Sequence, residues 1–152
     1  MEVIVPSSVR HRMKRHLLCG GKREIGGMLM GEEVGDQRFK IVEFSVDTES
    51  GSHSQFARNA DHHEIELQAF FERTSSDYGR FNYLGEWHSH PCFDVHPSVR
   101  DLRSMQDLVE RSRGVQFAVL LVTRLAWFWR LDSTATLFVR SHQPRAINLV
   151  VP

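Results

Sequence analysis

The stretch GEWHSHPCFDVHPSVRD, residues 85–101, constrains the fold more than any other part of the sequence. Together with the residues before it, NYLGEWHSH (82–90) is predicted to form a strand that Pro91 ends. Alternate side chains of a strand share a face, so His88 and His90 are expected to point the same way. Ser98 and Asp101 then form the S-x-x-D pattern of a capping box, which predicts that a helix begins there.

This arrangement of residue types suits a metal site. Two imidazoles on one face of a strand can hold one ion, and Asp101 on the first turn of the next helix can fold back as a third ligand. Two histidines, one carboxylate and a water are typical of a catalytic zinc site. Taken alone, His88 and His90 favour a half-buried strand without a metal, and Ser98 with Asp101 is compatible with a simple cap. The complete pattern H-x-H-P-x6-S-x2-D fixes five identities and favours the metal site.

Composition limits the other classes of function. The chain has 152 residues, enough for one domain over residues 1–152 that buries a core. Lysine plus arginine equals aspartate plus glutamate at 19 each, so nucleic acid and acidic membrane surfaces are not favoured as partners. No long apolar run predicts a membrane span or a secretory signal. Cys19 and Cys92 are interpreted as free thiols in a reducing cytoplasm.

Periodicity and turn residues predict an α/β (α+β) domain, with about three helices and a mostly antiparallel curved sheet. The first helix, residues 6–21, has serines as N-cap candidates and a Gly-Gly stop, and the second follows a capping box of Asp61 with Glu64. The polar segment 48–59 is predicted to be a loop. The strands are expected at residues 2–5, 24–34, 38–47, 82–90, 115–123, 126–132, 134–140 and 146–151, with a short turn between the sixth and seventh and the last at an edge.

The motif resembles the signature of the JAMM (MPN+) metalloproteases, and the upstream segment REIGGMLMG resembles the strand E-x-G-G-x-L-x-G of that family. The resemblance implies an MPN/JAMM fold, which is a cytidine-deaminase-like sandwich. It also implies one zinc per chain, bound by His88, His90 and Asp101. By the same resemblance Glu24 is the general acid/base and Ser98 assists at the oxyanion.

The segments YLGEWHSHP and PSVRDLRSM are similar to stand-alone bacterial JAMM proteins encoded beside ubiquitin-like conjugation enzymes in antiphage operons. This resemblance implies an isopeptidase that removes a ubiquitin-like protein from a target lysine or trims its precursor, with E1/E2-like enzymes as candidate partners. Three alternatives stay open: a peptidase acting on a sulfur-carrier protein in cysteine biosynthesis, a RadC-like protein, and a non-catalytic MPN scaffold. The neutral charge disfavours the RadC-like protein, and the intact motif disfavours the scaffold.

Two segments are predicted to contact the substrate. Phe93 lies in the loop between the candidate ligands, where an exposed aromatic ring could pack on a partner, whereas Asp94 and His96 are interpreted as solvated. The loop 47–57 is expected to receive the extended C-terminal tail of the substrate as an added strand.

Overall fold

The computed structural model describes residues 1–47, 60–127 and 129–152, with backbone alone at 60–63. Seven strands and three helices occur in these described ranges. In chain order they are β1 (Glu2–Ile4), α1 (Ser7–Gly20), β2 (Gly26–Gly35), β3 (Arg38–Phe44), α2 (Ala60–Arg73), β4 (Phe81–Ser89), α3 (Val99–Arg111), β5 (Phe117–Ala126), β6 (Arg130–Val139) and β7 (Arg145–Val150). The predicted mixed architecture with three helices is confirmed. The predicted loop 48–59 lies outside the described residues.

The strands form one sheet that closes on itself. Their order is β1-β3-β2-β4-β5-β6-β7, and β7 pairs back with β1. The antiparallel pairs β2–β3, β2–β4, β5–β6 and β6–β7 outnumber the parallel pairs β1–β3, β1–β7 and β4–β5, as expected. The sheet closes into a barrel, a feature that the expected sandwich did not include. The last strand is not at an edge either, since β1 covers its second side.

Strands β4 and β5 lie at the centre of this sheet and separate two apolar clusters. On one face, Trp87 and Leu121 pack with α1 through Met13. On the other face, alternate residues of β5 pack against Met105 and Val109 of α3. Because neighbouring side chains of a strand point to opposite faces, β4 can join the first cluster while presenting other side chains towards α3.

Both ends of α1 are set by residues with special backbones. The predicted serine N-cap is wrong: Pro6 is the N-cap residue, and no side chain caps the helix. The ring of Pro6 fixes φ at −59°, so the chain enters the helix with little further loss of entropy. The predicted Gly-Gly stop is confirmed, since Gly21 has a positive φ of 62° and its N–H donates to the Leu17 carbonyl at 3.1 Å. At α2, the helix begins at Ala60, so the predicted N-cap Asp61 lies inside it.

The hairpin of β5 and β6 differs from the prediction. The two strands pair without a break from Phe117 with Val139 to Ala126 with Arg130, so the turn lies at residues 127–129 and not at 133. Ser133, where the turn was expected, pairs with Thr123 within the ladder. Arg124 stands opposite Asp132 in the ladder and donates to its carboxylate at 3.3 Å. Cross-strand pairing of opposite charges therefore lets the strand continue through this position.

Cys19 and Cys92 are both exposed free thiols, as the sequence predicted. Among the described residues, no helix has the length and apolar character needed to cross a bilayer.

A buried carboxylate ties three strands together near the far end of β2. Glu32 is 6% exposed, and its carboxylate forms ion pairs with Lys40 of β3 and with Arg80, just before β4. The Arg80 Nε donates to it at 2.8 Å. Hydrogen bonds from Lys40 and then Arg80 hold the pKa of Glu32 below its usual range. A lowered pKa means that the ionised carboxylate is more favourable in the folded chain than in the unfolded one.

We expect Glu32→Gln to lower the free energy of unfolding by roughly 1.5–3 kcal/mol at neutral pH, the usual contribution of charged hydrogen bonds. Because the folded-state pKa is the lower one, this stabilisation is complete above the unfolded-state pKa of about 4.3 and disappears as the pH falls through the folded-state pKa. Urea unfolding of both proteins from pH 7 downwards measures it. The exposed neighbour Glu33 provides the control Glu33→Gln; an equal loss in both variants would contradict the role of the cluster.

Candidate functional site

Strand β4 carries the two histidines to the interior of the protein. His88 is 4% exposed, and His90, one residue beyond the strand, is 7% exposed. His88 pairs with Val122 of β5 and belongs to the face that α3 covers, while Trp87 points into the opposite cluster. The backbone N–H of His90 donates to the Thr123 carbonyl at 2.9 Å, which extends the alignment of the two strands beyond β4. The predicted shared face of the two imidazoles is therefore present.

A capping box brings the carboxylate to them. Ser98 is the N-cap residue of α3, and its Oγ accepts a hydrogen bond from the Asp101 N–H at 3.2 Å. In return, the Asp101 Oδ2 accepts from the Ser98 N–H at 2.7 Å. Asp101 is only 3% exposed, so the first turn of α3 delivers a buried carboxylate whose direction is fixed by the helix start.

Three ligand atoms converge in this way. The Nε2 atoms of His88 and His90 lie 2.9 Å apart, and the Asp101 Oδ2 lies 3.5 Å from the first and 3.8 Å from the second. In a tetrahedral zinc site with bonds of about 2.0–2.2 Å, ligand atoms are about 3.3–3.5 Å apart. The spacing and the donor types, two imidazole nitrogens and one carboxylate oxygen, therefore fit a zinc ion with its fourth position open. Among the described residues this is the one such cluster of three or more possible ligands.

The charge of Asp101 is favoured by its neighbours. Burial by itself would raise the pKa of this carboxyl, but the adjacent His88 and the hydrogen bonds to Ser98 hold the pKa well below its usual range. Asp101 is thus ionised at neutral pH, which is the form that binds a metal ion.

The second nitrogen of His90 fixes the direction of the ring. His90 Nδ1 lies 2.7 Å from the Asp94 carbonyl oxygen. A carbonyl oxygen can only accept, so the network assigns the proton to Nδ1 and leaves Nε2 of the neutral ring as a ligand. Such a bond from the second ring nitrogen is the usual way in which proteins orient histidine ligands.

Glu24 lies beside this end of β4, in the connection between α1 and β2, and is half-buried. The next residue, Ile25, is bonded to Ser89: its N–H donates to the Ser89 Oγ at 3.0 Å, and its carbonyl accepts from the Ser89 N–H at 2.8 Å. In an antiparallel pair this puts the Glu24 backbone level with His90. Glu24 is not among the converging ligand residues, in the part of the chain that the structure describes.

The two glycines after Glu24 permit this close alignment. A Cβ atom on Gly26 would lie 2.5 Å from the Trp87 carbonyl oxygen, and one on Gly27 would lie 2.0 Å from that of Ser45. Both distances are shorter than any real Cβ contact, so a side chain at either position would push β2 away from its neighbours. Glycine is therefore required at both positions for β2 to lie close to its neighbours, and this close packing keeps Glu24 beside β4.

The loop between His90 and Ser98 is largely exposed. Phe93 has 66% of its surface exposed, in keeping with the predicted contact role, and Asp94 and His96 are exposed as well. The predicted substrate loop 47–57 has one described residue, Asp47, and the rest of it lies outside the described residues.

The structure also contains a groove that the sequence did not predict. It has a volume of about 1010 Å³ and is lined by β2, β4, α2 and α3. Its apolar lining includes Met28, Leu67, Phe71, Tyr83, Leu108 and Phe117. Residues of at least four elements that are separate in sequence form it, so no local sequence pattern could have revealed it.

Two of the residues that line the groove are close in sequence to the residues of the metal cluster. Glu86 lies two residues before His88 on the same face of β4, and Ser104 lies one helical turn after Asp101. Burial raises the pKa of Glu86 to about 7, although the side chain keeps some contact with solvent. The alternation E-x-H-x-H in the sequence was a signal that Glu86 shares the face of the two histidines.

Comparisons with known proteins agree with this geometry. Residues 6–132 match the family model described as prokaryotic homologs of the JAB domain. Two relatives are each named "CD-NTase/cGAS isopeptidase". The one from Escherichia coli is 34% identical over 83 residues, 53% of this chain and 51% of its own length. The one from Vibrio cholerae is 30% identical over 131 residues, 83% of this chain and 75% of its own length. The chain therefore spans about half of the first relative.

The fold is also shared with a solved structure. The solution structure of protein DSY2949 from Desulfitobacterium hafniense has a TM-score of 0.68 and 18% identity, over 99% of this chain and 92% of that one. At this level of identity the likeness concerns the fold alone. Because the family model covers most of the sequence, including His88, His90 and Asp101, the chain belongs to the family of prokaryotic JAB-domain proteins.

Proposed function

We propose that this protein is a zinc-dependent isopeptidase that hydrolyses the amide bond after the C-terminus of a ubiquitin-like protein. The bond joins this C-terminus to a target lysine or to a precursor extension, in a bacterial ubiquitin-like antiphage pathway. The observation that carries the proposal is the convergence of His88, His90 and Asp101 in a site whose three ligands leave a fourth position for water and substrate. The names of both relatives support the isopeptidase reaction.

In this proposal the residues of the chain share the catalytic work. When bound, Zn²⁺ supplies Lewis acidity and lowers the pKa of water to roughly 7. Glu24 accepts the proton of the attacking water and delivers it to the leaving amine. The Oγ of Ser98 accepts from the Asp101 N–H, so its own proton stays available to donate to the oxyanion of the tetrahedral intermediate.

In this proposal the groove receives part of the protein substrate. It is large and mostly apolar in lining, and its lining includes Glu86, two residues before His88 on β4. An extended polypeptide or the surface of a small domain suits such a groove better than a single free amino acid does. The competing reading of a peptidase for a sulfur-carrier protein also requires a protein substrate, and it has no support from the names of the relatives.

We expect the purified protein to hold one zinc per chain. His88→Ala and His90→Ala should each lose the metal and the hydrolytic activity together, because the remaining two ligands cannot retain the ion. Both variants should also melt earlier, since metal binding stabilises the folded state. Elemental analysis measures the zinc content, and His142→Ala, an exposed histidine, is the matched control. Stoichiometric zinc in both site variants would refute the metal site, and a zinc-free wild type would favour a scaffold.

Glu24→Gln should keep zinc and melting temperature but lose at least about 10²-fold in kcat, because glutamine has the same shape and cannot take up a proton. Asp101→Asn should instead weaken the metal itself. Turnover of a ubiquitin-like conjugate and zinc content, measured side by side, separate the two roles. The exposed Glu64 offers the control Glu64→Gln. Near-normal turnover of Glu24→Gln would mean that the proton moves through another group.

A substitution of Tyr78 tests whether the groove binds the substrate. Tyr78 is 54% exposed at the lip, and its ring lies edge-on to Phe71 with centroids 4.8 Å apart. Tyr78→Ala should raise KM for a conjugate about tenfold, equal to about 1.4 kcal/mol, and leave zinc binding unchanged. Ile65→Ala, on α2, 67% exposed and outside the lining, should have the wild-type KM. Equal KM values for both variants would exclude the groove as the substrate site.

A further inference from the structure

Three successive backbone carbonyls in the loop after His90 are each held by a side chain. Arg124 Nη1 donates to the Phe93 carbonyl at 3.2 Å, His90 Nδ1 donates to that of Asp94 at 2.7 Å, and Thr134 Oγ1 donates to that of Val95. Two of the three donors come from the β5–β6 hairpin and one is a candidate metal ligand. The loop thus lies between the hairpin and the imidazole.

The exposed side chains of this loop cannot provide the same restraint. Phe93 is 66% exposed, and the side chain of Asp94 is 82% exposed. The Arg124 contact with the Asp94 carboxylate is long, at 3.5 Å, and lies at the surface, where ion pairs contribute little. The Asp94 carbonyl therefore lies between two carbonyls that the hairpin holds, beside the Val95 side chain that packs against the cluster with α3.

The hairpin is itself a firm support. Thr134 is half-buried and stands opposite Val122, the residue of β5 that pairs with His88. Arg124 is held from behind by Asp132, to which it donates at 3.3 Å. Arg130 also donates two hydrogen bonds to the Asp132 carboxylate, from Nε at 2.7 Å and from Nη2 at 3.1 Å.

We propose that Thr134 and Arg124 are positioning residues of the metal site: by fixing the Phe93 and Val95 carbonyls, they hold the Asp94 carbonyl where it orients His90. The consequence for His90 is that Nδ1 keeps the proton and Nε2 faces His88 and Asp101. The relevance of this restraint to zinc rests on the function proposed above. Groups that orient a metal ligand from behind typically contribute about 10- to 100-fold to metal affinity.

Thr134→Val provides the main test, because it removes the hydroxyl and keeps the shape. Its zinc affinity, measured by competition with a chelator, should fall about 10- to 100-fold. Thr134→Ser retains the hydroxyl and should restore the affinity. Thr136→Val is the matched control, since Thr136 lies two residues along the same strand and pairs with Leu120, away from the loop. Wild-type zinc affinity in Thr134→Val would overturn the proposal.

A second readout needs neither zinc nor activity. Imidazole ¹⁵N spectra of the metal-free protein report which ring nitrogen of His90 carries the proton. The wild type should show the Nδ1–H form, and Thr134→Val should show a mixture of both tautomers, whereas Thr136→Val should match the wild type. An unchanged tautomer in Thr134→Val would contradict the inference even if the proposed cleavage reaction were correct. A wild type with this tautomer and no isopeptidase activity would contradict the proposed function alone.

Arg124→Gln repeats the test from the other side of the loop, in case the first variant does not fold. It removes the donor to the Phe93 carbonyl and leaves Asp132 paired with Arg130. Zinc affinity should again fall, whereas the melting temperature of the metal-free protein should change little. A lower melting temperature with unchanged zinc affinity and tautomer would show that Arg124 has only a structural role, which would overturn its part in the proposal.

Discussion

The buried carboxylate of Asp101 is the constraint around which the site is arranged. An ionised carboxylate 3% exposed is costly unless polar partners surround it. Here the Ser98 N–H and the two imidazoles supply them. The same oxygen that completes the capping box also faces the histidines, so the start of α3 and the metal cluster cannot be moved independently. A change that shifts the helix start shifts a ligand.

Strand β4 makes this arrangement possible because one of its faces packs in the apolar core and the other carries the candidate ligand His88. Trp87 is fully buried in the cluster with α1, and its Nε1 donates to the Ser45 carbonyl at 2.9 Å. The opposite face presents Glu86 and His88 towards α3. Packing on one side therefore fixes the strand that carries the ligands on the other, and a rigid strand is what keeps ligand atoms within tenths of an ångström of a required geometry.

Local patterns were sufficient for much of the fold and for the three converging side chains of His88, His90 and Asp101. The alternation around His88, the proline after His90 and the S-x-x-D pattern are short-range signals, and each describes a conformation decided within a few residues. The errors arose where a local signal was outweighed by a partner elsewhere in the chain. The short turn was expected between Asp132 and Thr134, but the ladder continues through this position, with Arg124 paired opposite Asp132. The last strand was expected at an edge, but β1 covers it from the other end of the sequence.

The sequence by itself determined the two histidines on one strand face, the capping box and the thiols that stay free, because these follow from chain geometry and composition. Only the tertiary structure decided what lies around them. It brings the segment after Glu24 to β4 across 64 residues, through the bonds of Ile25 with Ser89. It also closes the barrel, forms the groove, and places Thr134 against the loop after His90. These features depend on side chains and strands that are distant in sequence and meet only when the whole sheet has formed.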